Sequence, residues 1–255
     1  MKISNILLVV FMTIFASCKN NKTENTVSVS PNKTSVNSSI KIIPIKHGTL
    51  VLETKNEVLY IDPTGGKDAF SNQKTPTYVL ITDIHGDHLD LKTLELLNLK
   101  NTTLIAPKAV IDKLPKNLGK TMITLNNGEI FDPKNLSVEA IPMYNLREEA
   151  LKFHTKGRGN GYVITVDGER IYISGDTEDI PEMRNLKYID KAFVCMNLPY
   201  TMTVENAANA VLDFKPKQVY PYHYRGTDGL SDIKLFNDLV TKTSASIEVI
   251  LLDWY

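Results

Sequence analysis

Hydrophobic positions along the chain change period several times, and each change predicts an element. The folded part opens with apolar runs bounded by turn residues: I-I-P-I from residue 42, T-L-V-L-E-T from 49 and V-L-Y-I-D-P from 58, with N-E and G-G as turns. Runs of this kind read as strands. Residues 78–82, Y-V-L-I-T, are almost wholly apolar, as in a strand buried on both faces. Residues 89–99 switch to helical spacing, with Leu91, Leu94, Leu96 and Leu97 among the apolar positions. A strand at 103–107, a short helix at 108–114 and strands in M-I-T-L, S-V-E-A-I-P, G-Y-V-I-T-V and R-I-Y-I-S follow. The rest reads as a strand at 192–196, a helix at 204–214, a strand at 218–222, a helix at 230–242 and a closing strand, I-E-V-I-L-L. Strands alternating with helices, with several hairpins among them, predict an α/β layered domain with mixed sheets.

The N-terminal residues follow another pattern. Lys2 precedes ten largely apolar residues, 6–15, and then Ala16, Ser17 and Cys18. That run is too short for a spanning helix, which needs roughly twenty residues, and suits a signal-peptide core. It resembles a bacterial lipoprotein signal, although Phe15 stands where Leu is usual. Residues 19–40 are rich in Asn, Ser, Thr and Lys and have no aromatic residue, a composition that cannot bury enough apolar surface to fold. The expectation is a signal peptide at 1–17, a lipidated Cys18 with a flexible tether at 18–40, and one folded domain at 41–255. The chain would be exported and held by a lipid anchor on a bacterial membrane. Residues 19–22, K-N-N-K, lack an acidic cluster, which favours the periplasmic side.

Composition narrows the picture modestly. Among 255 residues, 29 basic and 29 acidic side chains cancel, so no basic face argues for nucleic acid. Cys195, in the strand-like run A-F-V-C-M-N-L, reads as a packed, reduced thiol.

The chemistry lies in the five histidines, His47, His85, His88, His154 and His223. Two fall in T-D-I-H-G-D-H-L, residues 82–89, directly after the buried run. Asp83 and His85 are two apart and share a side in extended chain. Gly86 permits a tight turn, and Asp87 and His88 are expected to open the next helix, with Asp87 near its positive end. Four metal-capable groups in six residues suit zinc, with manganese or iron as alternatives.

With this motif in place, the chain resembles the metallo-β-lactamase superfamily, whose signature is His-x-His-x-Asp-His after a buried strand. His85, Asp87 and His88 match, and Asp83 stands for the first histidine. I-Y-I-S-G-D-T, residues 171–177, resembles the strand that ends in the family's bridging aspartate, here Asp176. Y-P-Y-H-Y, residues 220–224, resembles the segment of its last metal histidine, here His223. V-L-Y-I-D-P with Asp62, and His47 before it, resemble the opening segment. The similarity spans residues 42–255 and leans toward the branch of ascorbate-lactone hydrolases and N-acyl-phosphatidylethanolamine phospholipases D. It implies a four-layer αββα sandwich of two mixed sheets flanked by helices, with metal ligands on loops at one edge.

Two departures bear on the site. Asp83 adds negative charge where the family has imidazole. After A-I-P, where the family has a further metal histidine, this chain has Met143, Tyr144 and Asn145; His154 lies nine residues beyond Asn145 and is the candidate replacement. The expected ligand set is therefore Asp83, His85, Asp87, His88, His154, Asp176 and His223 around one or two divalent ions. His47 is expected to support the site. The family resemblance implies that Asp176 bridges and that Asp87 orients the attacking water and accepts its proton. The loop T-K-G-R-G-N-G, residues 155–161, offers Lys156 and Arg158 for an anionic group. Asn145, Tyr222 and Arg225 complete the expected substrate contacts. The expected activity is metal-dependent hydrolysis of an ester, lactone or phosphodiester in a small molecule. Two rivals predict other behaviour: a non-catalytic metal- or ligand-binding lipoprotein, and an iron oxidoreductase on the same constellation.

Overall fold

Each strand-like run from residue 42 on contains a strand in the computed structural model, which describes residues 40–255. The expected signal peptide, Cys18 and nearly all of the expected tether lie outside the described residues. Ile40 is already buried in the main core, one residue ahead of the expected start.

The first sheet has six strands: β1 (Lys41–Lys46), β2 (Thr49–Glu53), β3 (Val58–Ile61), β4 (Tyr78–Leu80), β5 (Thr103–Ala106) and β6 (Thr121–Thr124), in that order across the sheet. β1, β2 and β3 pair antiparallel, and β3 to β6 run parallel. Helix α1 (Leu91–Leu96) follows β4, and α2 (Lys108–Ile111) follows β5.

The second sheet contains β7 (Ile130–Phe131), β8 (Leu136–Met143), β9 (Gly159–Val166), β10 (Glu169–Ile173), β11 (Lys191–Val194), β12 (Gln218–Pro221) and β15 (Glu248–Val249). Its spatial order is β15-β12-β11-β10-β9-β8-β7. β7 to β10 pair antiparallel and β10, β11, β12 and β15 run parallel. Helices α3 (Pro181–Arg184), α4 (Val204–Phe214) and α5 (Ile233–Thr243) belong to this half, with a small hairpin of β13 (Arg225–Gly226) and β14 (Gly229–Leu230).

Alternation along the strands divides the core in two. Leu50, Leu52, Leu59, Ile61, Leu80 and Ile105 of the first sheet join a large cluster with Val138, Ala140, Tyr162, Ile164, Ile171 and Ile173 of the second. Intervening residues Val51, Tyr60, Val79, Ile81 and Leu104 point the other way, onto Leu94 of α1 and Val110 of α2. The first sheet thus buries both faces, one on the other sheet and one on helices. On the second sheet Tyr172, Ala192 and Val194 join Ala207, Val211 and Phe214 of α4 and Phe236 of α5. The architecture is the expected αββα sandwich.

Boundaries near the C-terminal end differ from expectation. The helix expected from 230 begins at Ile233, because the Asp232 carboxylate accepts the N–H groups of Lys234 and Leu235 and caps it there. Leu230 pairs in β14 instead. The closing strand shrinks to two residues. No helix of the described residues is long and apolar enough to cross a membrane.

Candidate functional site

The loop after β4 is stitched across the sandwich. Asn160 of β9 donates its N–H to the Thr82 carbonyl at 2.9 Å, and the Tyr162 hydroxyl donates to the Ile81 carbonyl at 2.7 Å. Residues 81–83 are thereby fixed where the two sheets meet. The N–H groups of His88 and Leu89 both reach the His85 carbonyl, at 3.0 and 2.7 Å, closing a tight turn. Asp87 and His88 therefore do not open the helix. Asp90 accepts the Thr93 N–H at 3.1 Å and sets the start of α1 at Leu91, so Asp87 lies ahead of the helix rather than in its first turn.

Two clusters of ligand-type side chains converge on this edge. Asp87, His88, Asp176 and His223 form one; Asp83, His85 and His154 form the other. In the first, His88 Nε2 and His223 Nε2 stand 3.2 Å apart. Asp176 Oδ2 is 3.4 Å from His88 Nε2, Asp176 Oδ1 is 3.3 Å from His223 Nε2, and Asp87 Oδ2 is 3.3 Å from His223 Nε2. Ligand atoms about 2.0–2.1 Å from one tetrahedral zinc are spaced roughly 3.3 Å apart. Asp176 Oδ1 is also buried without a hydrogen-bond partner, as an atom reserved for a cation would be. The donor set, two imidazoles and two carboxylates, fits a divalent ion.

The other ring nitrogens of His88, His154 and His85 support that reading, whereas His223 Nδ1 is buried without a partner. Asp62, wholly buried, has Oδ2 2.8 Å from His88 Nδ1, and it accepts the Thr82 N–H at 2.7 Å and the Thr82 hydroxyl at 2.6 Å. His154 Nδ1 lies 3.2 Å from the Tyr200 carbonyl. His85 Nδ1 lies 2.7 Å from Asp83 Oδ2. An Nδ1–H donated to an acceptor leaves the Nε2 lone pair for the centre, the usual bracing of metal-binding histidines. His154 Nε2 is 3.3 Å from Asp176 Oδ2, so Asp176 touches both clusters.

The backbone is unusual at the same place. His47, Asp62 and His223 all have left-handed φ, at 55°, 45° and 46°. Non-glycine residues rarely adopt this conformation, and such strain gathers at functional sites. Gly48 lies against His223: a Cβ there would stand 2.8 Å from His223 Cδ2. Gly175, at φ +60°, makes the turn that presents Asp176. His47 Nδ1 meets the Tyr255 hydroxyl at 2.7 Å, and its Nε2 lies 3.4 Å from Asp87 Oδ2.

Electrostatics follow from this packing. Burial opposes ionisation of Asp87, but contacts from His223 and His47 hold its carboxyl well below the ordinary range. Burial likewise opposes ionisation of Asp176, and His223 and His88 outweigh it. His88 is raised well above an ordinary histidine, because Asp176 and Asp62 outweigh its burial. Only Asp87 and His85 present much side chain to solvent, at 43 and 41%, so they form the open side.

Several expected substrate contacts are placed differently. Asn145 is buried, and its amide donates to the Ala150 and Tyr200 carbonyls, so it anchors the loop under His154 instead of facing a pocket. Tyr222 is fully buried with its hydroxyl accepting the Gly175 N–H at 2.9 Å, which makes it a support for the Asp176 turn. Lys156 pairs with Glu182 at 2.8 Å and lies over the Tyr144 ring. Arg158 grips Asp83. Arg225 is exposed and stacks over Tyr255, 4.2 Å from the ring centroid. The Tyr255 contact was invisible in sequence because 208 residues separate it from His47.

The chain is similar to several known proteins. Residues 62–224 match the model of the beta-lactamase superfamily domain. A metal-dependent hydrolase of Archaeoglobus fulgidus is 28% identical over 225 residues, covering 84% of this chain and 96% of that protein. A crystal structure of a metal-dependent hydrolase from Parabacteroides distasonis is 38% identical with a TM-score of 0.75, covering 85% of this chain and 94% of that one. A metallo hydrolase from Ignicoccus hospitalis shares the fold at 21% identity and a TM-score of 0.71, covering 84% and 95% of the two chains.

Proposed function

This chain belongs to the beta-lactamase superfamily of metal-dependent hydrolases, and on that premise we propose that it hydrolyses an ester, lactone or phosphodiester in a small molecule, with Asp87 as the catalytic base. The observation that carries the reading is the Asp87, His88, Asp176 and His223 cluster, whose ligand atoms have the mutual spacing of a single coordination shell. A divalent ion held there, zinc by its donor set, supplies Lewis acidity and lowers the pKa of water toward neutrality.

The chain's own groups do the rest. Asp176 and His88 stay buried and rigid, fixed by Asp62 and the Gly175 turn. Asp87 is ionised and open to solvent, held by His47 and His223, so its carboxylate can orient an incoming water and take its proton. Arg225, exposed beside Tyr255 and so next to His47, is the cation best placed to meet an anionic substrate group. Lys156 and Arg158, already paired with carboxylates, contribute less to that contact. The ascorbate-lactone hydrolase and phospholipase D branch remains our preferred substrate neighbourhood.

The deciding experiment is a screen of lactones, carboxylic esters and phosphodiesters with the zinc-loaded protein and its Asp87→Ala variant. Turnover by the parent that the variant loses by at least ~100-fold supports the role, since general-base contributions are of that order. Turnover retained in Asp87→Ala refutes it. We further propose export and anchoring through Cys18. Mass spectrometry of the protein from bacterial membranes should find an acylated Cys18 at the N-terminus, and an unmodified Cys18 removes the anchor from the reading.

A further inference from the structure

Arg158 and Asp83 make a contact that the hydrolase reading does not use. The Asp83 side chain is fully buried. Its Oδ1 accepts Arg158 Nε at 3.1 Å and its Oδ2 accepts Arg158 Nη2 at 2.8 Å, a bidentate fork. The same Oδ2 lies 2.7 Å from His85 Nδ1. The same Nη2 also donates to the Phe153 carbonyl at 2.6 Å, a second anchor for the guanidinium.

Spacing separates an orienting carboxylate from a ligand. The 2.7 Å between Asp83 and His85 is a hydrogen-bond length, whereas atoms sharing one tetrahedral ion stand roughly 3.3 Å apart. His88 offers the internal comparison. Its Nδ1 sits 2.8 Å from Asp62, a buried carboxylate that stands behind the ring and outside its ligand cluster. Asp83 stands behind His85 in the same manner.

Charge points the same way. The Asp87, His88, Asp176 and His223 cluster brings two carboxylates, which balance one divalent ion. With Asp83 neutralised by Arg158, the other cluster retains only His85 and His154, plus access to the shared Asp176. A second ion there would sit beside a guanidinium and repel it.

We infer that Arg158 holds Asp83 as an orienting partner of His85 rather than a metal ligand, so that the chain keeps one tightly bound divalent ion, on Asp87, His88, Asp176 and His223. This inference rests on the metal-centre reading above. Arg158 is a positioning residue, and its removal frees the Asp83 carboxylate to complete a second site.

The test is ion counting by elemental mass spectrometry on the purified protein, loaded with excess zinc and then desalted. One ion per chain is expected for the parent and for Asp83→Asn. Arg158→Gln is expected to gain a second ion, with zinc affinity at that site raised at least ~10-fold in a chelator titration, because a like charge has been removed. Two ions in the parent, falling to one in Asp83→Asn, would make Asp83 a ligand and overturn the inference while leaving the metal reading intact. Arg158→Gln folded but still holding one ion would overturn it too. No ion in the parent overturns both readings. Circular dichroism reports whether Arg158→Gln folds; if it does not, the parent and Asp83→Asn counts decide alone.

Discussion

Asp62 shows how much of the site depends on residues that never face the centre. It lies in the left-handed region, wholly buried, and both its oxygens are used on Thr82 and His88. Burial raises its pKa, so the carboxylate is held there against its own preference for water. Asp62→Asn should keep the shape but lose the charge behind His88. Loss of such a partner typically weakens metal affinity ~10–100-fold. Competition with a zinc chelator measures this, and an unchanged affinity would show that His88 needs no carboxylate behind it. The motif T-D-I-H-G-D-H-L announced ligand chemistry from sequence alone because its residue types are dense in one short segment. It did not announce which of its carboxylates faces the centre, since Asp83 and Asp87 have the same side chain and differ only in their neighbours.

At the scale of elements, strands were more legible than their ends. The runs at 58–61, 103–106 and 161–166 became β3, β5 and the body of β9, because period and composition are local properties. Helix starts moved to Leu91 and Ile233, where Asp90 and Asp232 cap them. Tyr222, expected as a substrate contact, directly follows the inward-packed end of β12, where its ring meets Phe193 and Trp254. Its hydroxyl ties that strand end to the Gly175 turn. Tyr222→Phe should therefore cost about 1 kcal/mol in a urea titration, the usual worth of one such hydrogen bond, and leave KM unchanged. A raised KM with unaltered stability would return Tyr222 to the substrate pocket. Cys195 fits its expected place: fully buried, with burial pushing its thiol up to about 12.

The whole molecule couples its stability to the ion and to pH. In the metal-free protein, burial lowers the pKa of His88, but Asp176 and Asp62 raise it well above that of an ordinary histidine, 6.5. A raised histidine pKa stabilises the fold fully below the unfolded value and less and less as pH climbs through the folded one. Asp176 is shifted down, so its contribution is present above the ordinary carboxylate pKa of 3.8 and is lost as pH falls through its folded value. The His88 and Asp176 contributions to the metal-free protein are then both present between about pH 4 and 6.5, and the His88 contribution fades toward alkaline pH. Metal binding needs neutral imidazoles, so the stabilisation by zinc should grow over the same rise. Thermal melts with and without zinc at pH 5.5 and 8.5 check this. A zinc-induced shift that is larger at pH 5.5 would contradict it.

Hydrophobic period and turn residues were enough to indicate an α/β layered domain with mixed sheets, and the clustering of His and Asp a metal site at a strand end; two facing sheets with helices outside came only through the family resemblance. The domain class and the metal site depend on neighbours within a few residues, which the chain order displays. The partnerships did not show: Arg158 with Asp83 across 75 positions, and Tyr255 with His47 across 208. Only the packing of one sheet on the other brings these segments together. Burial then decides which carboxylate is neutralised, which ring nitrogen is braced and which cation remains exposed. Side-chain identity sets what a residue is able to do, and the tertiary surroundings select which of those roles it takes.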